Sequence, residues 1–232
     1  MLILAIDSSA TASVTLGKIG STAAGSEVEV IAHRETQDTR SHAEVMSVFV
    51  RDVLAETQVS SQDIDTIITG TGPGPFTGLR AGIVTARTLS FAWGVPLYGL
   101  MSLYSIAENA WQDANERNYT EFLVAADARR REIYSATFAQ HEAGYQLVDG
   151  PNVGAAADAP ALPAYGFGAG LYREQVDAVE EFDSLHANSR GLLKAAARIG
   201  LTNLSTDTQA LYLRESDAKV PQARKKATHA QR

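Results

Sequence analysis

The chain has 232 residues, 45% hydrophobic and 20% charged, enough apolar side chain for a packed core and too little charge for wholesale disorder. Its 20 Lys plus Arg stand against 27 Asp plus Glu, a net charge of -7, which argues against a free-standing nucleic-acid binder and leaves any RNA role to be shared with a partner. The absence of Cys excludes disulfide frameworks, thiolate nucleophiles and zinc ribbons. Leu2 to Ile6 predicts a strand rather than a signal peptide, and it ends at Asp7-Ser8-Ser9. Ala12 to Leu16 predicts a second strand, the Gly, Ser and Thr of Gly17 to Gly25 a turn, and Glu27 to His33 a third strand. The three together predict an antiparallel meander. No apolar run approaches the roughly 18 residues of a membrane span, so a cytoplasmic protein is expected.

Ser41 to Glu56 is the clearest helix, with Ser41 and Glu44 at the spacing of a capping box. Val45, Val48 and Phe49 widen its apolar arc to roughly 240°, where a helix on a lone domain needs about 100°. It is expected to bury two faces, one of them against another chain. Ile64 to Thr69 predicts a buried strand, and a helix is expected over Thr77 to Trp93. Gly78, Gly82 and Ala86 fall four apart on that helix and leave a bare ridge that another helix can approach. Gly94-Val95-Pro96 ends it, Leu97 to Leu100 is a strand, and Ser102 to Trp111 a helix.

Phe122 to Ala126 runs into Asp127, and Glu132 to Ala139 is its β partner. Asp149 to Pro163 reads as a loop, followed by helices near Gly170 to Glu180 and Arg190 to Leu201. Acids at two strand ends, Asp7 and Asp127, hint at two related lobes, although no sequence repeat is visible. Between residues 218 and 232 stand five basic side chains (Lys219, Arg224, Lys225, Lys226, Arg232) and no acidic one. This tail is expected to be disordered, and it reads either as solvated or as touching phosphate.

Two segments suggest chemistry. In Asp7-Ser8-Ser9, a carboxylate at a strand end can hold a hydrated magnesium ion while the next hydroxyl meets phosphate, or the three residues form an ordinary turn. Gly72-Pro73-Gly74-Pro75-Phe76-Thr77-Gly78-Leu79-Arg80 is a stiffened Gly-rich loop that empties into a helix N-terminus, which favours an anion. Gly72, Gly74, Thr77 and Gly78 are its phosphate-binding candidates with Asp7 and Ser8. The same loop also reads as a rigid connector. His33 and His42 lack a partner ligand at metal spacing and read as surface or cap-adjacent residues. Arg129-Arg130-Arg131 reads as a solvated turn.

Leu4-Ala5-Ile6-Asp7-Ser8-Ser9, Ser41-His42-Ala43-Glu44, Gly72 to Gly82, Asp127-Ala128-Arg129 with Glu132-Ile133-Tyr134, and Tyr212-Leu213-Arg214 occur in that order. Together they resemble the bacterial tRNA threonylcarbamoyladenosine biosynthesis family TsaB, also called YeaZ. Pro75 departs from the family's usual Ser and removes a hydroxyl and an amide from the loop. The resemblance implies an α/β, actin-like fold of the sugar-kinase type. Residues 1–108 would form the lobe carrying the partner interface (Val45, Val48, Phe49, Gly78, Gly82, Ala86), 109–217 a reduced second lobe, and 218–232 the tail.

The resemblance further implies a non-catalytic subunit that pairs with a TsaD-like transferase, is joined by a TsaE-like ATPase, meets tRNA through the complex, and forms a homodimer when alone. No metal or cofactor is expected in the chain itself, ATP and magnesium belonging to the complex. TsaD-like relatives carry a metal-binding His-x-x-x-His, and the corresponding stretch Leu100 to Ile106 has no imidazole. A metal-dependent peptidase fails on the same ground. The alternative is a small-molecule kinase using Asp7 for magnesium and the Gly72 to Gly78 loop for phosphate.

Overall fold

A computed structural model describes residues 1–22, 25–36, 42–142 and 144–214. β1 (Leu2–Asp7), β2 (Ser13–Thr22) and β3 (Gly25–Glu35) form the expected antiparallel meander. α1 (His42–Thr57) leads to β4 (Thr66–Gly70), and α2 (Phe76–Trp93) to β5 (Leu97–Leu100). β4 pairs with β1, and β5 with β4, both in parallel, so the first sheet has the order β3-β2-β1-β4-β5. α3 (Leu103–Glu116) then opens a second set: β6 (Glu121–Asp127), β7 (Glu132–His141), β8 (Gly144–Ala155), β9 (Pro163–Tyr165), α4 (Phe167–Leu171), β10 (Asp177–Ala178) and α5 (Ser189–Ile199). Its sheet order, β10-β9-β6-β7-β8, is the first sheet's arrangement repeated. Asp7 and Asp127 end the two equivalent central strands. The helix that joins the third and fourth strands of the first sheet is replaced in the second by a single short turn at Ala156–Asp158.

β1 is apolar from Leu2 to Ile6 because both of its faces are covered. Leu4 and Ile6 pack with Met46, Val50, Val53 and Ala86 from α1 and α2. Ile3 and Ala5 face the other way, onto Leu192, Leu193, Ala195 and Ala196 of α5. In the second sheet Phe122, Val124, Ala136 and Phe138 meet Ile106, Ala107 and Ala110 of α3. Each lobe thus lends a helix to the joint, and α3 packs against α5 between the sheets. A division after residue 108 falls inside α3.

Three expectations need correction. Gly17 to Thr22 is strand, not turn. A Cβ at Gly17 would lie 2.5 Å from Leu193 of α5 and 2.7 Å from the Glu29 carbonyl, so glycine here marks a close crossing over the sheet. The segment expected as a loop from Asp149 to Pro163 contains the end of β8 and the start of β9. Among the described residues β8 pairs with β7 alone and is an edge strand, with register shifts near Asp149, and an edge tolerates Gly150 and Pro151. The helix expected over Gly170 to Glu180 is the short α4 followed by β10. The capping box at Ser41 and the tail 218–232 lie outside the described residues.

Candidate functional site

Asp7 is fully buried at the end of β1. Its Oδ1 accepts hydrogen bonds from the Ser9 amide (2.8 Å) and hydroxyl (2.7 Å), and its Oδ2 accepts from the Ser102 hydroxyl (2.6 Å). Gly70 closes over the carboxylate: a Cβ there would sit 1.8 Å from Oδ2. Burial raises the Asp7 pKa above the ordinary aspartate value, and the bonds from Ser102 and Ser9 offset part of that rise. Ser102 also binds the glycine loop twice, its hydroxyl accepting from the Gly72 amide (3.1 Å) and its amide donating to the Gly72 carbonyl (2.7 Å). Asp7 therefore joins β1, the loop and the start of α3.

Ser8 does the equivalent for α2. Its hydroxyl donates to the Gly78 carbonyl (2.8 Å) and accepts from the Gly82 amide (3.0 Å), the two groups of one rung of the helix. A Cβ on Gly82 would lie 2.4 Å from the Ser8 Oγ. Gly78, Gly82 and Ala86 are all buried, with Ala86 in the core of the first lobe. The bare ridge is real, but it receives β1 of the same chain and is not available to a partner helix. Of the expected interface residues, Val48 is 37% exposed and Val45 and Phe49 are half-buried. On α2 Val84 (59%) and Phe91 (91%) point outward, seven apart on one face, while Phe76 at its first position is 48% exposed.

The structure thus gathers Asp7, Ser8, Gly72 and Gly78 around internal hydrogen bonds. Gly74 lines a cavity of the cleft between the lobes, and Thr77 is exposed on the first turn of α2. The cleft holds two adjoining cavities of about 230 and 720 Å³, which share Pro75, Asp127, Arg129 and Tyr134. The smaller lies between Ser9 and Pro73 on one side and Phe167 and His186 on the other. His186 is tilted on the Phe167 ring at 4.2 Å, and burial lowers its pKa despite nearby Glu35 and Asp127. Where the relatives' histidines are expected, Ser102 holds Asp7 while Leu103 and Ile106 are core, so the stretch offers no imidazole ligand.

His33 lies in the third strand as expected, but its side chain is 13% exposed and not at the surface, with Nδ1 2.8 Å from the Thr15 hydroxyl and Nε2 3.2 Å from Glu35. For His42 only its place at the start of α1 is described. The larger cavity brings in Arg80, Tyr212 and Arg214, which residue chemistry alone did not single out. Phe76 and Tyr212 stack at 4.8 Å, Arg80 lies 3.7 Å above Phe76, and its Nε donates to the Tyr212 hydroxyl (2.6 Å). Arg214 donates to the Ala128 carbonyl (2.9 Å) and pairs with Glu132, so the last described segment fastens the first lobe to the β6–β7 turn. The motif Tyr212-Leu213-Arg214 was the available signal.

The family model for TsaD, tRNA N6-adenosine threonylcarbamoyltransferase, matches residues 29–187. An uncharacterized protein of Mycobacterium tuberculosis is 35% identical over 217 residues, 94% of this chain and 93% of that protein. The tRNA threonylcarbamoyladenosine biosynthesis protein TsaB of Escherichia coli is 36% identical over 145 residues, 62% of this chain and 58% of its own length. YeaZ from Pseudomonas aeruginosa superposes with a TM-score of 0.74 at 26% identity, covering 91% of this chain and 99% of that one. The actin-like fold implied by the sequence resemblance is therefore the fold of this molecule, and the chain belongs to the TsaD family of tRNA N6-adenosine threonylcarbamoyltransferase proteins, in its TsaB/YeaZ branch.

Proposed function

We propose that this chain is a non-catalytic subunit of the assembly that installs the threonylcarbamoyl group on the adenosine beside the anticodon of tRNAs reading codons that begin with A. Its partners in this reading are a TsaD-like transferase and a TsaE-like ATPase, with tRNA met through the complex in the cytoplasm. Family membership supports the tRNA reading over a small-molecule kinase. The observation that carries the non-catalytic part is the sealed carboxylate of Asp7. Its oxygens are occupied by Ser9 and Ser102 and covered by Gly70, so the acid a kinase would turn toward magnesium is an internal fastening. ATP alone is accordingly expected to bind the free chain weakly or undetectably. The phosphate-binding role considered for Gly72, Gly74, Thr77 and Gly78 gives way to a positioning role for the loop.

The partner surface in this reading is the outward side of α1 and α2, with Val45, Val48 and Phe49 on the first helix and Val84 and Phe91 on the second. A nearly fully exposed Phe beside other apolar residues is the kind of anchor that a protein interface buries. Without the transferase, the same surface supports a homodimer. Co-purification with the TsaD-like paralogue tests this. Phe91→Asp with Val84→Asp should lower the affinity about tenfold or more and leave the melting temperature within a degree or two, since neither residue is core. Unchanged affinity would place the interface elsewhere.

A further inference from the structure

The smaller cavity of the cleft, about 230 Å³, is walled mostly by apolar side chains: Pro73 and Pro75 from the glycine loop, Leu103 and Ile106 from α3, Phe167 and Leu185 from the second lobe. Its carboxylate and its guanidinium answer each other. Asp127 Oδ2 lies 3.0 Å from Arg129, and Asp127 Oδ1 accepts from the Arg129 amide (2.7 Å), the same turn that Asp7 makes with Ser9 in the first lobe. Ser9, also on the wall, donates its hydroxyl to Asp7. Two polar groups are left over. Tyr134 lines the cavity and is only 8% exposed, yet among the described residues its hydroxyl has no hydrogen-bond partner, where a buried hydroxyl ordinarily has one. His186 lies 4.2 Å from Phe167, ring on ring, and among the described residues neither of its nitrogens is hydrogen-bonded. Burial favours its uncharged form.

We propose that this cavity binds an uncharged one-ring aromatic molecule bearing a polar substituent, of the aromatic amide or phenol type. The ring lies among the apolar walls, and the substituent exchanges hydrogen bonds with Tyr134 and His186. Size sets the first limit. An apolar cavity of about 150 Å³ is enough for benzene, so this one takes a single ring with its substituent. It falls below the roughly 300–1,000 Å³ of sites for larger ligands. Charge sets the second limit. An anion entering here meets an arginine already paired with Asp127, and a cation meets a carboxylate already paired with Arg129. A purely apolar ring would fill the space but leave Tyr134 and His186 unbonded, at a cost that a polar substituent removes. The proposal goes beyond the partner role and does not rest on it.

An NMR titration of the full chain with benzamide tests it. Saturable shifts with a dissociation constant of about 1 mM or tighter are expected, ordinary for so small a ligand. Benzoate, of the same shape but charged, should bind about tenfold more weakly or worse. Tyr134→Phe should weaken benzamide about fivefold and leave toluene, which offers the ring alone, unaffected. His186→Phe, which keeps a ring against Phe167, should act in the same direction. Neither substitution removes a hydrogen bond among the described residues, and thermal melting verifies that both variants fold. Three results would each overturn the proposal: no saturable shift even at tens of millimolar benzamide, equal benzamide affinity in the wild type and both folded variants, or displacement of benzamide by micromolar AMP, which would return the cleft to nucleotides. The free chain suffices for every arm, so failure here leaves the co-purification result untouched, and the reverse holds as well.

Discussion

Asp7 and Ser8 show how a residue can be legible in sequence while its task is not. An acid and a hydroxyl after an apolar strand stand out as chemistry, and both are indeed at the centre of the joint between strand, loop and helix. What decides their role is contributed from far along the chain: Ser102 holds Asp7 at 2.6 Å, and Gly82 meets Ser8 at 3.0 Å. No spacing rule links residues so distant.

The energetic consequence can be measured. Because burial raises the Asp7 pKa, the folded state holds that proton more tightly than the unfolded chain. Stability contributed at this site is greatest below the ordinary aspartate value of 3.8 and is lost as pH rises toward the raised value. Asp7→Asn, which keeps an acceptor for Ser9 and never ionises, should remove this pH dependence and leave stability at neutral pH equal or higher. Asp7→Ala should cost about 1–3 kcal/mol, since it strands the donors of Ser9 and Ser102. Chemical denaturation across pH distinguishes the two variants. If Asn proved as damaging as Ala, the charge itself would be essential.

Among the elements, α2 carries most of the argument. Its inner ridge of Gly78, Gly82 and Ala86 faces β1, and its outer face carries Val84 and Phe91. Period-four small residues announce a close approach, yet the pattern cannot name the neighbour, which here is a strand of the same lobe. Gly82→Leu should therefore destabilise the free chain by about 1–3 kcal/mol, because its side chain has to enter the space of Ser8. Thermal unfolding of the isolated protein measures this, and an unaltered melting curve would return the ridge to the surface. The elements that escaped sequence reading share one cause. β8 is an edge strand with register shifts, and β9 and β10 are three and two residues long, so none shows a clean alternation, while β1, β4 and β6, covered on both faces, were plain from their apolar runs.

The whole molecule is one arrangement of five strands used twice, with Asp7 and Asp127 at matching ends and α3 and α5 crossing between the sheets. The two acids hinted at that duplication, but the repeat survives in topology and not in sequence. Its second copy is reduced, with a short turn at Ala156–Asp158 in place of a helix. The first copy keeps α1 and α2 side by side with an apolar outer surface. The closed joint at Asp7 and the apolar outer surface of α1 and α2 are the two observations that the proposed partner role draws on. The most direct measurement is threonylcarbamoyl incorporation into tRNA by the TsaD-like paralogue and the ATPase, with and without this chain. Incorporation should require the chain, survive Asp7→Asn, and fail with the Val84→Asp and Phe91→Asp pair. Full incorporation without the chain, or activity abolished by Asp7→Asn in a folded protein that still binds the paralogue, would contradict the account.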